Sequence, residues 1–314
     1  MLPLIKSLAY RIIHNKAFLF LPIIVTPLVL ILSLYFTHNM TTYANIAVVG
    51  DYPTIQADGV KITPLEEVPP FSDLMQGRFD AVVIFDGENY TIETVKGDTF
   101  QEALTTVLDG GTPNWTSGQA RGEVANLTGF IMMFVLLIGI MLYRFYYEEK
   151  DGIDRRILSS SVNYIQYMLS HCFVVLLMVY VPVMLIITAF SIFHGFQSNA
   201  SILQIAFIFF MLSLLGTTLG FCLSSLIPSD ESAILLGSMT VIVTTLLSGG
   251  FREITSAGIA QTISKFLPQK YILDYAMAVE NCTQVNYLSI VGVFLLCGLF
   301  LIIGLLANRK RLST

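Results

Sequence analysis

The sequence predicts an all-α polytopic membrane protein with six transmembrane helices, an N-terminal interfacial helix, a small extracellular α/β lobe and a re-entrant hairpin before the last helix. Three observations lead there. Six stretches free of Asp, Glu, Lys and Arg are long enough to cross a bilayer: Phe18 to Phe36, Ala125 to Tyr143, Met168 to Phe193, Ile202 to Ile227, Ala233 to Gly250 and Leu288 to Ala307. A hydrocarbon core of about 30 Å takes roughly 20 apolar residues as helix, because a backbone amide left unpaired in lipid costs several kcal/mol. Hydrophobic residues make up 54% of the 314 and charged residues only 12%, too few for a soluble domain. The basic residues, finally, cluster beside alternate helix ends. With the N-terminus inside, 10 of the 17 (Lys6, Arg11, Lys16, Arg144, Lys150, Arg155, Arg156, Arg309, Lys310 and Arg311) fall in short cytoplasmic segments. The same arrangement puts 16 of the 22 acidic residues outside, giving 10 − 6 = +4 on the cytoplasmic side and 7 − 16 = −9 outside. Both termini are expected in the cytoplasm of a cell that carries the chain in its plasma or inner membrane.

From the N-terminus, Met1 to Lys16 places Leu4, Ile5, Leu8 and Ile12 on one face and Lys6, Arg11 and Lys16 largely elsewhere. A helix lying among lipid headgroups has that pattern, and so has a plain basic flank. Phe18 to Phe36 is read as a retained helix, since no small-x-small cleavage pattern follows it. Residues 1–36 thus form the interfacial helix and first span. Residues 37–124 are the extracellular lobe, with strands expected at Asn45-Ile-Ala-Val-Val-Gly-Asp, Asp80-Ala-Val-Val-Ile-Phe-Asp and Tyr90-Thr-Ile-Glu-Thr-Val, and helices at Phe71 to Phe79 and Thr99 to Leu108.

Residues 125–314 hold the remaining five spans and two connections of interest. The loop 144–166 carries mixed charge followed by Ile157, Leu158 and a serine cluster, which suits either a solvated loop or a surface helix that meets a cytosolic partner. The connection 251–287 is too apolar for a plain loop: Ile254, Ala257, Ile259, Ile263, Phe266 and Leu267 keep helical spacing, Pro268 breaks it, and Tyr271 to Val279 resumes it. Two short helices dipping into the membrane account for this if their ends are buried in protein or face water.

No helix interior offers the carboxylate that an ion-driven carrier needs at membrane depth. His171 and His194 lie near the two ends of the third helix and read as headgroup contacts. Cys172, Cys222 and Cys297 fall within helices and Cys282 alone faces outward, so an extracellular disulfide within one chain and a zinc or redox site are unsupported. A Gly-x-x-x-x-Gly-Lys-Ser/Thr phosphate loop is absent from the sequence, so the chain is not expected to be an enzyme by that route, and ATP and Mg would be bound by another chain. Gly216 and Gly220 form a Gly-x-x-x-Gly step for close helix packing, inside the bundle or between subunits. Pro22, Pro27 and Pro182 are expected to bend their helices, and Gly249-Gly250 to end the fifth.

Two segments give the chain a resemblance to a known family. Tyr147-Glu-Glu-Lys-Asp-Gly-Ile-Asp-Arg-Arg-Ile-Leu-Ser-Ser-Ser-Val is similar to the Glu-Lys-Glu-x-Gly-Thr-x-Glu-x-Leu-x-x-x-Pro-Val stretch of ABC-2 type permeases. Leu247-Ser-Gly-Gly-Phe and Ile259-Ala-Gln-Thr-Ile-Ser-Lys-Phe-Leu-Pro-Gln-Lys-Tyr-Ile-Leu-Asp-Tyr resemble that family's fifth-helix end and outer hairpin, here with Gly250, Phe251, Pro268 and Tyr271. The order of parts resembles the branch with a large extracellular insertion. The chain departs from the pattern in lacking the Pro before Val162 and the Phe-Pro after Gly250. The resemblance implies an exporter permease, paired with an identical or homologous second permease and with two copies of a separate ABC ATPase. Glu148, Glu149, Arg155, Arg156 and Leu158 become the contact through which that ATPase drives transport. Membrane lipid is a further expected partner and nucleic acid is not. Apolar helices with small polar residues suit an amphipathic or hydrophobic cargo such as a drug, a lipid-like compound or a peptide. A membrane receptor or immunity protein whose outer lobe binds a ligand would use the same parts, and a channel would need pore-lining charges that no helix carries.

Overall fold

The computed structural model describes the chain except residues 1, 15, 40–43, 51–59, 66, 76–77, 87–88, 96–97, 110–121, 150–161, 194–197, 199, 252–258 and 314. It divides into two compact units, Met1–Leu34 with Gly122–Thr314, and Tyr35–Arg121. The helical unit opens with α1 (Leu2–His14) and α2 (Lys16–Asn39). In α1 Leu8 is buried and Leu4 and Ile5 are half-buried, while Lys6, Ser7 and Arg11 are exposed, so the two-faced spacing of the sequence is realised against the bundle. In α2 the buried residues Thr26, Val29, Leu30 and Ser33 follow one helical stripe, and Ile23, Ile24, Leu28, Ile31 and Leu32 point away from it.

The smaller unit is a four-stranded sheet of β1 (Ala44–Val49), β2 (Val60–Leu65), β3 (Ala81–Asp86) and β4 (Asn89–Thr94), with α3 (Phe71–Met75) between β2 and β3 and α4 (Asp98–Leu108) after β4. The strand order is β2-β1-β3-β4, with β1 parallel to both neighbours and β3 antiparallel to β4. Alternation along the strands sorts the core into two faces. Ile46, Val48, Ala81 and Val83 meet Phe100 and Leu104 of α4, whereas Ala47 and Val82 meet Leu74 of α3. Beyond the three strands legible in the sequence, the sheet has β2, a run interrupted by Pro64. Proline is tolerated there because β2 is an edge strand, hydrogen-bonded to β1 alone. The side-chain Oη of Tyr90 donates to Asp109 (3.0 Å), tying β4 to the end of α4. Burial, and then the Asp109 carboxylate, push the phenol above its ordinary pKa.

The helical unit continues with α5 (Glu123–Met141), α6 (Arg144–Glu149), α7 (Tyr164–Phe193), α8 (Ile202–Leu226), α9 (Asp230–Leu247), α10 (Ile259–Ser264), α11 (Pro268–Glu280) and α12 (Tyr287–Ser313). Among the described residues five helices are long and apolar enough to cross a membrane: Glu123–Tyr147, α7, α8, α9 and Tyr287–Arg309. The first expected span lies within α2, whose described apolar part is Ile23–Ser33. α8 is the hub, packing on α5, α7 and α12. Its start is closed by a capping box, in which Ser201 Oγ accepts from Gln204 N and Gln204 Oε1 accepts from Ser201 N (2.8 Å). Ser229 caps α9, with Asp230 and Glu231 in the first turn where the helix dipole favours them. α7 runs on through Pro182. α5 and α8 are largely enclosed by protein, whereas α9 and α12 expose most of their apolar surface.

Candidate functional site

One end of the bundle is organised around α6. A two-residue turn at Leu142–Tyr143 follows α5, and the aromatic run behind it locks α6 onto α7. Tyr143 Oη donates to Cys172 Sγ (3.3 Å) and Tyr146 Oη to Met168 Sδ (3.7 Å). His171 lies between the rings of Phe145, Tyr146 and Tyr167, with centroids at 5.2, 5.2 and 4.8 Å, the first stacked and the others edge-on. It is fully buried. The expected headgroup contact is therefore corrected: the polar residue near a helix end faces inward because α6 folds its aromatic side chains over it. On its other side α6 meets the turn between α8 and α9. Tyr147 Oη donates to the Ile227 carbonyl (3.0 Å), and Arg144 Nε lies 3.5 Å from Asp230 Oδ2. That ion pair is largely exposed, so Asp230→Asn is expected to cost less than about 1 kcal/mol, seen as a near-unchanged unfolding midpoint in detergent. A large drop would show that the pair is held more tightly than its exposure implies.

Glu148 and Glu149, two of the expected ATPase contacts, close α6. Arg155, Arg156 and Leu158 lie outside the described residues.

The opposite end is built around α10 and α11, the expected pair of short helices. Their turn is held by Tyr271 Oη donating to the Lys265 carbonyl (2.5 Å), and Pro268 occupies the first turn of α11, where its missing N–H costs nothing. α9 ends in a left-handed Gly249 (φ +80°), with Gly250 N bonded back to the Thr245 carbonyl (2.9 Å). Gly250 is buried against α5: a Cβ on Gly129 would fall on the Gly250 carbonyl oxygen. Beside it Phe251 meets Phe130 edge-on at 5.3 Å.

Two residues of α11 that the sequence did not single out complete this end. Gly122, the N-cap of α5, has no side chain to offer the first amides. The buried carboxylate of Glu280 supplies the cap instead, Oε1 accepting from Val124 N and Oε2 from Ala125 N, both at 3.0 Å. At the other end of α11 the buried amide of Gln269 donates from Nε2 to Thr244 Oγ1 of α9 (2.8 Å). Neither stands out in the sequence, since a lone Glu and a lone Gln in a connection carry no spacing signal.

Gly216 and Gly220 pack within the bundle. A Cβ on Gly216 would lie 3.1 Å from the Val135 carbonyl oxygen and Leu136 Cα, and one on Gly220 2.7 Å from the Gly139 carbonyl oxygen. Gly139 answers them on α5, where a Cβ would come within 2.6 Å of the Gly216 carbonyl carbon. Three glycines thus bring the backbones of the second and fourth sequence-predicted spans together.

A helical unit with a short helix folded under one end and a two-helix hairpin across the other agrees with the comparison against protein families, in which the model for ABC-2 type transporters matches residues 94–281. That stretch runs from the last residue of β4 to just past α11. The chain belongs to the ABC-2 type transporter family. Membership makes it the membrane component of an ABC transporter and implies an ABC ATPase as its partner, the subunit in which ATP hydrolysis resides. No curated protein matches the chain.

Proposed function

We propose that this ABC-2 permease is the six-span subunit of an exporter that moves an amphipathic or hydrophobic substrate out of the cell, driven by two copies of a separate ABC ATPase. Its termini and α6 face the cytoplasm, where Lys6, Arg11, Arg144 and Arg309 obey the positive-inside bias, and the hairpin and the small α/β unit face outward. The observation that carries the reading is the attachment of α6. A docking segment must pass force to the spans, and α6 is tied at once to α7 through Tyr143 and Tyr146 and to the α8–α9 turn through Tyr147 and Arg144. Movement of α6 by the ATPase would therefore pass to α7 and to the α8–α9 turn together. The second permease, identical or homologous, is assigned to α9. That helix exposes Leu235, Leu236, Met239, Ile242, Val243 and Leu246, with Thr240 among them donating its hydroxyl to the Leu236 carbonyl of the same helix (2.8 Å). A broad apolar face of this kind suits a subunit boundary or a path for an amphipathic molecule.

Co-expression with a candidate ATPase tests the reading. The native chain is expected to retain the ATPase through detergent purification, and the double variant Glu149→Lys with Arg155→Glu to lose it while keeping its own fold. Retention by the double variant would remove these residues from the contact. A native chain that purifies without any ATPase would bring forward a receptor role for the small α/β unit.

A further inference from the structure

We propose that the small α/β unit carries a binding cleft for an amphipathic cation, formed where α3 leaves one face of the sheet partly uncovered and edged by Glu67 and Asp73. The site is built from this unit alone, so it holds whether or not the spans transport the same molecule.

The two faces of the sheet are closed unequally. α4, with eleven residues, lies over Ile46, Val48, Ala81 and Val83. Among the described residues the other face is covered by α3 alone. Its five residues make about 7.5 Å of helix, against roughly 20 Å for a six-residue strand. α3 therefore seats one buried side chain, Leu74, on Ala47 and Val82, and Val49, Leu65, Phe79 and Ile84 around that contact stay half-buried.

A cleft of about 670 Å³ opens there, within the range of small-molecule sites. Leu65, Val68, Pro69 and Phe79 give it apolar walls. Val68 is exposed, as are Phe71 and Met75 on α3, so the same segment holds apolar surface against water. Its backbone is tied in place: Asp73 N donates to the Pro70 carbonyl (2.9 Å), Arg78 N to the Asp73 carbonyl (2.9 Å), and Asn45 Nδ2 of β1 to the Arg78 carbonyl (2.7 Å). A ligand thus meets walls that are already ordered.

The polar groups decide the charge of that ligand. Glu67 and Asp73 bring two carboxylates to the cleft against the single guanidinium of Arg78. Arg78 Nη1 stands 3.6 Å from Asp73 Oδ1, beyond good hydrogen-bonding distance, and its side chain is 69% exposed, so this pairing is loose enough for a ligand cation to compete with it. Within Tyr35–Arg121 the sequence has 4 basic and 12 acidic residues, 4 − 12 = −8, a field that draws cations in and repels anions. An apolar body against Val68 and Phe79, with a positive group at Glu67 and Asp73, complements the cleft in both respects.

Photolabelling of the full chain in phosphatidylcholine nanodiscs, without nucleotide or ATPase, tests the site. The probe is an acetylated tetrapeptide amide, Lys-Leu-Xaa-Lys with p-benzoylphenylalanine as Xaa, and its counterpart carries Glu in place of both Lys. The cationic probe is expected to crosslink to the lining residues, Val68, Pro69 and Phe79 among them, and the acidic one about tenfold more weakly, since two charge pairs are reversed. Glu67→Gln and Asp73→Asn should each weaken labelling by about threefold. Arg78→Ala should strengthen it by about threefold, because the Asp73 carboxylate loses its competitor, and a misfolded variant could not produce that gain. Glu102→Gln removes the same charge from an exposed position on α4, across the sheet, and should change nothing. Equal labelling by the acidic probe, crosslinks away from the cleft, or weaker labelling in Arg78→Ala would each overturn the proposal. So would a loss in Glu102→Gln equal to that in Glu67→Gln, which would leave only the general field of the unit. A preference for the acidic probe that Arg78→Ala abolishes would give the cleft to an anion instead.

Discussion

Replacing Gly216 by leucine is expected to unfold or severely destabilise the bundle, at a cost of about 3 kcal/mol or more, the upper end of overpacking penalties. The atoms in the way belong to backbone: a Cβ at this position already lies 3.1 Å from the Val135 carbonyl oxygen and from Leu136 Cα. Backbone of a helix cannot rotate aside as a side chain can, so α5 and α8 must separate by the width of the new group. That separation also opens the contacts at Gly139 and Gly220, which belong to the same crossing. Gly298 is the control. It is a helical glycine in α12 of similar sequence context, and a Cβ there meets nothing within 4 Å. Gly298→Leu is therefore expected to leave the unfolding midpoint unchanged or slightly raised, by removing glycine's backbone freedom from the unfolded chain. Unfolding in detergent, followed by heat or by SDS titration, separates the two. Equal effects at Gly216 and Gly298 would mean that helix propensity, and not the α5–α8 approach, governs both.

Uncharged apolar runs made most of the helical unit legible, because in a membrane this local feature decides whether a segment can sit in hydrocarbon. α7, α8, α9 and α12 fall on their expected runs to within a few residues, except that α12 continues to Ser313. The pair α10 and α11 followed from apolar spacing in a connection that had no other reason to be apolar. β2 was hidden because its only strong signal, alternation, is broken by Pro64, and proline argues against a strand unless one already knows that the strand is an edge. His171 was misread for a related reason. Its depth is set by Phe145 and Tyr146, which reach it only because α6 turns back onto α7, and that fold-back leaves no periodic trace. At the site the outcome follows the same division. Gly216 and Gly220 announce a close approach through their spacing, yet their counterpart Gly139 is a single glycine in an apolar run. Glu280 and Gln269 act through partners 156 and 25 residues away, distances at which a single sequence carries no pairing information.

The other large effect concerns Glu280 and the glycine it covers. Glu280→Ala leaves the amides of Val124 and Ala125 at a buried helix start with no acceptor, since Gly122 cannot cap them. Hydrogen bonds to a charged group contribute about 1.5–3 kcal/mol each, and a total loss on the order of 3 kcal/mol is expected after some recovery by water. Gly122→Ala attacks the same contact from the other side: its methyl group would fall on the Glu280 carboxylate, which must then leave one or both amides. Each single change should lower the unfolding midpoint clearly. The double change should not add. Once Glu280 is truncated, the new methyl group enters the space the carboxylate occupied, and Gly122→Ala becomes nearly neutral, so the cycle should give a coupling of at least about 1 kcal/mol. Additive losses would mean that the carboxylate does not sit over Gly122. Glu280→Gln refines the result, because an amide keeps the shape but turns one of its two accepting atoms into a donor. It should fall between the native chain and Glu280→Ala in stability, placing the strength of the anchor in its charge as well as its fit.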